Sequence, residues 1–197
     1  MEFPSFVEEL PITRSALEFA AARHTGQRRS ADRAPFILHP LEVAQLLRGR
    51  GYGDDVVAAA VLHDVIEDAG VGQQELEQRF GARVAELVSA VSEPLPDGSY
   101  RERKARLRDA VEDADPDAVA IYAADKVAKL RELRLAMVST SDFTPDQDQL
   151  EHYWASLELL ERRGARDPLV RQLRFELEAL ALLPPDRQDI HSSVVGG

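Results

Sequence analysis

Residues 63–68 hold four side chains of the types that chemistry uses: His63 and Asp64, then Glu67 and Asp68. On a helix, His63 and Glu67 stand four apart and share a face. Asp64 and Asp68 do the same, and Asp64 and Glu67 stand three apart. Three acids thus crowd the end of a segment, 56–68 (VVAAAVLHDVIED), whose other residues are almost all apolar. Like charges at that spacing repel, and acids near a helix C-terminus oppose the macrodipole. A bound divalent cation relieves both. Taken alone, the acids also describe a solvated helix end, with the chain turning at Ala69-Gly70.

Two more positions offer donors. His39-Pro40 lies at a loop-to-helix junction, where a side chain can project across a helix end. By itself His39 reads as a surface histidine. Asp125 is the one acid in the largely apolar stretch AVAIYAADKVAKL. A buried acid there needs a partner, either Lys126, Lys129 or a neighbouring arginine, or a cation. Together His39, His63, Asp64 and Asp125 form a two-histidine, two-aspartate set drawn from three elements. Such a set suits Mn²⁺, Fe²⁺, Zn²⁺ or Mg²⁺ and leaves positions for water and substrate.

The elements that must position these residues read as helices. Thr13 can cap a first helix to about Arg23, and residues 24–38 form a polar loop. Pro40 suits the first turn of a helix that stops in the glycine-rich RGRGYG. Asp54 or Asp55 can cap the apolar segment 56–68, which should be the central buried helix. Further helices fit 73–80, 82–92, 99–112, 116–137, 145–164 and 168–183, most with an Asp, Ser or Pro at the start. Strand alternation and fixed-period repeats are missing. The expected class is all-α, a helical bundle of about eight or nine helices. One domain should cover 1–183, with a flexible C-terminal tail at 184–197.

The 197-residue chain is 44% hydrophobic, enough for a packed core. It has no cysteine, which excludes disulfides, thiolate metal sites and a cysteine nucleophile. A net charge of −11 argues against broad nucleic-acid binding, though a local Arg/Lys cluster can still hold phosphate. The apolar stretches fall far short of the roughly 20 residues that span a bilayer. The opening MEFPSFVEEL lacks a signal pattern. The expectation is a cytoplasmic protein with neither nucleic-acid nor membrane partners.

The motifs HTGQRR, PFILHP, AAAVLHDVIED, FGARVAELVSAVS and AADKVAKLREL, in that order, give the chain a family resemblance. Over roughly residues 14–160 it is similar to the HD superfamily. More narrowly, it resembles the hydrolase domain of the RelA/SpoT homologues and the stand-alone small alarmone hydrolases. The resemblance implies an HD-domain helical bundle. It implies one metal, usually Mn²⁺, ligated by His39, His63, Asp64 and Asp125. Glu67 and Asp68 match the pair that positions and deprotonates the attacking water, and Arg29 matches a basic residue near the guanine base. The implied reaction removes the 3′-pyrophosphate of guanosine tetra- or pentaphosphate.

In-line attack on phosphorus needs cations to spread the charge. The candidates are Arg28, Arg29, Lys129, Arg131, and Arg101, Arg103 and Lys104 of the basic run 101–108. Such a run also describes a solvated helix face. Tyr153 fits either the core or a wall against a purine, Trp154 fits the core, and His24 fits packing beside the first helix. Several positions depart from the family pattern. Lys129 stands where an asparagine is usual, Ala128 for a His or Tyr, Tyr122 for a Lys, Ser30 for a basic residue and Gln149 for an Arg. The metal and water machinery matches while the nucleotide-contacting residues differ. Metal-dependent hydrolysis is therefore better supported than the alarmone substrate, and within it the expected function is alarmone hydrolysis first. Hydrolysis of another phosphorylated nucleotide or dinucleotide cofactor comes second, and a non-catalytic nucleotide-binding or antitoxin-like regulator third.

Overall fold

The computed structural model describes residues 4–93, 97–139 and 143–183. The expected tail at 184–197 lies outside them. Among the described residues the chain is all-helical. A 3₁₀ turn (Ser5–Val7) precedes α1 (Pro11–Arg23), α2 (Leu38–Arg48), α3 (Asp54–Leu62), α4 (Val65–Ala69) and α5 (Gln73–Phe80). Then come α6 (Ala82–Val91), α7 (Tyr100–Glu112), α8 (Pro116–Ser139), α9 (Gln147–Gly164) and α10 (Pro168–Ala181). The only extended pairing among the described residues is an isolated bridge between Arg28 and Pro35, which folds the loop before α2 back on itself.

α3 is apolar all round and is buried from residue 56 to 62. It packs against α1, α2, α6 and α8. α8 is 24 residues long, about 36 Å at the usual helical rise. It touches α2, α3 and α6 and also carries α7, α9 and α10, so it is the common spine of both groups.

The apolar pattern of 56–68 predicts one helix, but the structure has two, giving ten α-helices among the described residues where about eight or nine were expected. Helix α3 ends at Leu62, and Asp64 takes φ −95°, ψ −5° before α4 begins. His63 Nδ1 bonds the Ala60 carbonyl at 2.7 Å, engaging the acceptor that the next helical turn would use. Glu67 and Asp68 therefore stand on α4, a helix of five residues whose first turn is nearly its last. A helix this short has little macrodipole for the two acids to oppose. α4 then stops at Gly70, which adopts the left-handed conformation at φ 65°.

The caps also differ from expectation. α1 begins at Pro11, before Thr13, and Gly53 occupies the N-cap position of α3. The Asp54 carboxylate instead accepts the backbone N–H groups of Ile12 and Thr13 at 2.9 and 2.8 Å, and the Thr13 hydroxyl at 2.7 Å. Asp54 thus ties the start of α1 to the start of α3. Ser99 forms a capping box with Glu102, and Asp146 and Asp167 cap α9 and α10.

Candidate active site

Three elements converge on one point: the first turn of α2, the break between α3 and α4, and the middle of α8. His39 Nε2 lies 3.1 Å from Asp125 Oδ1 and 3.8 Å from Asp64 Oδ2. His63 Nε2 lies 3.2 Å from Asp64 Oδ2 and 3.6 Å from Asp125 Oδ1. One donor atom each from His39, His63 and Asp125 falls within 4.8 Å of the others, and Asp64 reaches both imidazoles. Donors bonded to one ion at about 2.1 Å stand roughly 3–4 Å apart, so the set fits a divalent metal.

The chemistry of the donors supports that fit. His63 is 4% exposed, and its Nδ1 faces the Ala60 carbonyl at 2.7 Å. A carbonyl only accepts, so Nδ1 carries a proton and Nε2 is the nitrogen turned to the cluster. That Nε2 is buried with no hydrogen-bond partner among the described residues, and it faces two carboxylates. Between two carboxylates that nitrogen needs a positive partner, either a proton of its own or a shared metal cation.

Burial opposes ionisation of Asp64 and Asp125. The neighbouring cationic groups, His63 for Asp64 and Lys126 first for Asp125, outweigh it and hold both carboxyls below the usual range. Burial lowers the His63 pKa, but the charges of Asp64 and Asp125 raise it above the ordinary value. Lys126 Nζ sits 2.6 Å from Asp125 Oδ2 and 4.4 Å from the centre of the Tyr122 ring. Asp125 therefore has both a lysine partner and a place in the cluster.

A cavity of about 190 Å³ opens onto the cluster. His39, Asp64, Asp125 and Asp68 line it together with Lys104, Lys126 and Lys129. Phe36, Tyr100, Gln149, His152 and Tyr153 complete its wall. A larger groove of about 560 Å³, beside Leu38, Leu46 and Arg131, carries no such set of titratable groups. Glu67 stands next to the cavity. Its Oε1 accepts the Glu93 backbone N–H at 2.6 Å, and its Oε2 lies 4.0 Å from Lys104. Partial burial pushes both Glu67 and Asp68 above ordinary carboxylate values, and the Asp64 charge adds to this.

The model of the HD domain family matches residues 16–149. The chain belongs to the HD-domain family. A mouse protein named guanosine-3′,5′-bis(diphosphate) 3′-pyrophosphohydrolase MESH1 is 32% identical over 174 residues, covering 85% of this chain and 94% of the mouse one. A Vibrio cholerae guanosine-3′,5′-bis(diphosphate) 3′-pyrophosphohydrolase is 30% identical over 95% of this chain, which spans 26% of that relative's length. A namesake from Aquifex aeolicus is 40% identical over 90 residues, and this chain spans 12% of it. A solved structure, described as a metazoan orthologue of SpoT that hydrolyses ppGpp, superposes with a TM-score of 0.75 at 26% identity. The match covers 93% of this chain and all of that one.

Within this HD domain, the other residues singled out from sequence fall in different places. Lys129 lines the cavity, with its Nζ 3.8 Å from Glu132 Oε2. Tyr153 is 3% exposed, as a core residue would be, and also lines the cavity. Trp154 is 40% exposed and is not a core residue. α9 turns His152 and Tyr153 inward, and the next position points about 100° away. Arg28, Arg29, Arg103 and Arg131 do not line the cavity. Arg28 donates to the Arg33 carbonyl, and Arg29 holds Asp32 and lies 3.7 Å from Glu132. Arg103 pairs with Glu93, and Arg131 pairs with Glu42 and Glu176. His24, just after α1, packs its ring on Phe36 of the loop before α2 rather than within the first helix. Of the basic run, Lys104 reaches the cavity, while Arg101 binds Asp148 and Glu151. The sequence reading missed Phe36, Tyr100 and His152 as cavity groups. For His152 the available signal was its place on the inward stripe of α9 with Tyr153, Ser156 and Leu160.

Proposed function

We propose that this HD-domain chain is a divalent-metal-dependent phosphohydrolase that removes the 3′-pyrophosphate of guanosine tetra- or pentaphosphate. Mn²⁺ is the expected metal and the cytoplasm the expected setting. The observation that carries this reading is one cavity lined by His39, Asp64, Asp125, Asp68 and three lysines, with His63 Nε2 against Asp64 and Asp125 behind it. The cluster suits a cation, and the lysines suit the phosphates of a nucleotide. The names of the relatives supply the substrate.

His39, His63, Asp64 and Asp125 would hold the cation, whose charge acidifies water and offsets that of phosphate oxygens. Asp68 opens onto the cavity and accepts a proton from the attacking water. Glu67, tethered to the Glu93 amide and close to Lys104, orients the turn that carries Asp68. The water oxygen bonds to the phosphorus attached at the 3′ oxygen. The bond from that phosphorus to the 3′ oxygen breaks, the 3′ oxygen takes a proton, and pyrophosphate leaves. Lys104, Lys126 and Lys129 spread the charge of the departing group.

A second reading rests on Lys129. Among the five departures from the family pattern, Lys129 and Gln149 line the cavity, whereas Tyr122 is buried with its hydroxyl on Ser156 and Ser30 is exposed. Lys129 adds a charge where the family usually carries an amide, which suits a differently phosphorylated nucleotide or dinucleotide cofactor. The test is a panel of phosphorylated nucleotides with Mn²⁺, followed by identification of the products. Pyrophosphate released from guanosine tetraphosphate, and lost in Asp64→Ala and Glu67→Ala, is the expected result. Turnover of another panel member alone selects the second reading. Thermal stabilisation by nucleotide without any turnover overturns both in favour of a non-catalytic binder.

A further inference from the structure

We propose that His152 is a substrate-positioning residue whose Nε2–H, fixed in place by Arg108, donates to a phosphate oxygen of the bound nucleotide. The identity of the ligand rests on the functional reading above, whereas the donor rests on its own geometry.

His152 Nδ1 lies 2.7 Å from an Arg108 guanidinium nitrogen. A guanidinium has only donors, so Nδ1 must offer its lone pair and the ring proton must sit on Nε2. A second ring proton would set two donors against each other. His152 is 4% exposed, and its Nε2 has no partner among the described residues. Buried polar atoms rarely go unsatisfied, so this one calls for an acceptor that the chain does not supply. His152 lines the same cavity as the metal cluster. Its ring stands edge-on to Tyr100, with centroids 6.3 Å apart, and 5.5 Å from the Tyr153 ring. Its backbone carbonyl accepts the Ser156 hydroxyl at 2.7 Å. The ring is thus held from α7 and along α9, with one donor left over.

The surroundings select the acceptor. Burial first, then the charges of Lys126, Lys104 and Arg108, depress the His152 pKa to about 2, with Asp125 pulling the other way. The ring stays neutral, and the cations around it favour an anionic oxygen over the edge of a base. The residue therefore recognises phosphate through a fixed direction, without adding a charge of its own.

Two measurements on the full chain test this. The first is the ¹⁵N spectrum of His152 with Mg²⁺ as a diamagnetic ion. It should show a neutral ring protonated at Nε2, and inorganic pyrophosphate should shift that nitrogen while guanosine does not. A ring protonated at Nδ1, or an Nε2 that saturating pyrophosphate leaves unmoved, overturns the proposal whether or not any nucleotide is hydrolysed. The second is kinetic. His152→Phe keeps the ring volume but removes the donor, and should raise KM about ten- to a hundredfold, with a smaller change in kcat. His152→Gln restores an N–H donor and should recover most of the loss. Wild-type KM in a folded His152→Phe protein, or a His152→Gln no better than the phenylalanine, overturns it. Failure of the wild type to turn over any nucleotide counts against the functional reading, and the ¹⁵N arm still decides this one.

Discussion

The four described histidines are all buried, and their neighbours give them different protonation patterns. His63 gives its Nδ1–H to the Ala60 carbonyl and turns Nε2 to the cluster. His152 carries its proton on Nε2 against Arg108. This difference has a pH signature. The folded His152 pKa is depressed to about 2, while an unfolded histidine titrates near 6.5. Between those values the unfolded chain binds a proton that the folded chain refuses. The stability is therefore intact above pH 6.5 and is lost as pH falls below it. Lowering the pH from 7.5 to 5.5 should cost the wild type about 1 kcal/mol more than His152→Gln. Urea midpoints at the two pH values measure this. The His63 contribution, which has the opposite sign, is common to both proteins and cancels. Equal losses in the two proteins would mean that His152 titrates normally in the fold.

At the scale of elements, the site depends on where α2 and the α3–α4 break sit relative to α8, and the Asp54 clamp helps to set the packing of α1 on α3. Asp54 satisfies two orphan N–H groups at the start of α1 and the Thr13 hydroxyl. Asp54→Ala leaves these groups without their acceptor and should cost about 1–3 kcal/mol, read as a lower urea midpoint with an unchanged slope. Asp54→Asn keeps one acceptor oxygen and should cost less. Most helices were legible in the sequence because their starts are chemical: Ser99 and Asp167 cap the helices they precede. Asp54 was assigned to the wrong helix because its partners lie more than 40 residues away, at Ile12 and Thr13. The single helix expected over 56–68 failed for a related reason. Its apolar pattern is continuous, and the break comes from one side-chain bond, His63 to Ala60, that periodicity does not reveal. The donor set was legible because His39, His63, Asp64 and Asp125 are polar residues in apolar or junctional settings. The far wall of the cavity was less so, because Tyr100 and His152 sit on helices α7 and α9 whose charged and apolar residues look ordinary until they pack against α8.

For the molecule as a whole, the cluster exists only in the folded chain. Its ligands are 24 and 61 residues apart in sequence, from His39 to His63 and from Asp64 to Asp125, and they meet because α2, α3 and α8 pack together. A cation that binds this arrangement binds the native state far better than the unfolded one, so binding and folding are linked. At a hundredfold excess over Kd the added stability should be about 2.7 kcal/mol, or roughly 5–10 °C in Tm for a chain of this size. Thermal melts with and without Mn²⁺, and again after EDTA, measure it. Asp64→Asn tests the assignment more gently than a change at Asp125, because Asp125 also pairs with buried Lys126. If the substitution weakens binding a hundredfold, the same metal concentration should add only about 0.4 kcal/mol. The shift should return when more metal restores the ratio to Kd. A full Mn²⁺ shift in the Asp64→Asn protein would put the ion somewhere other than this cluster. No shift in the wild type at neutral pH, with EDTA equally without effect, would remove the metal from the account altogether.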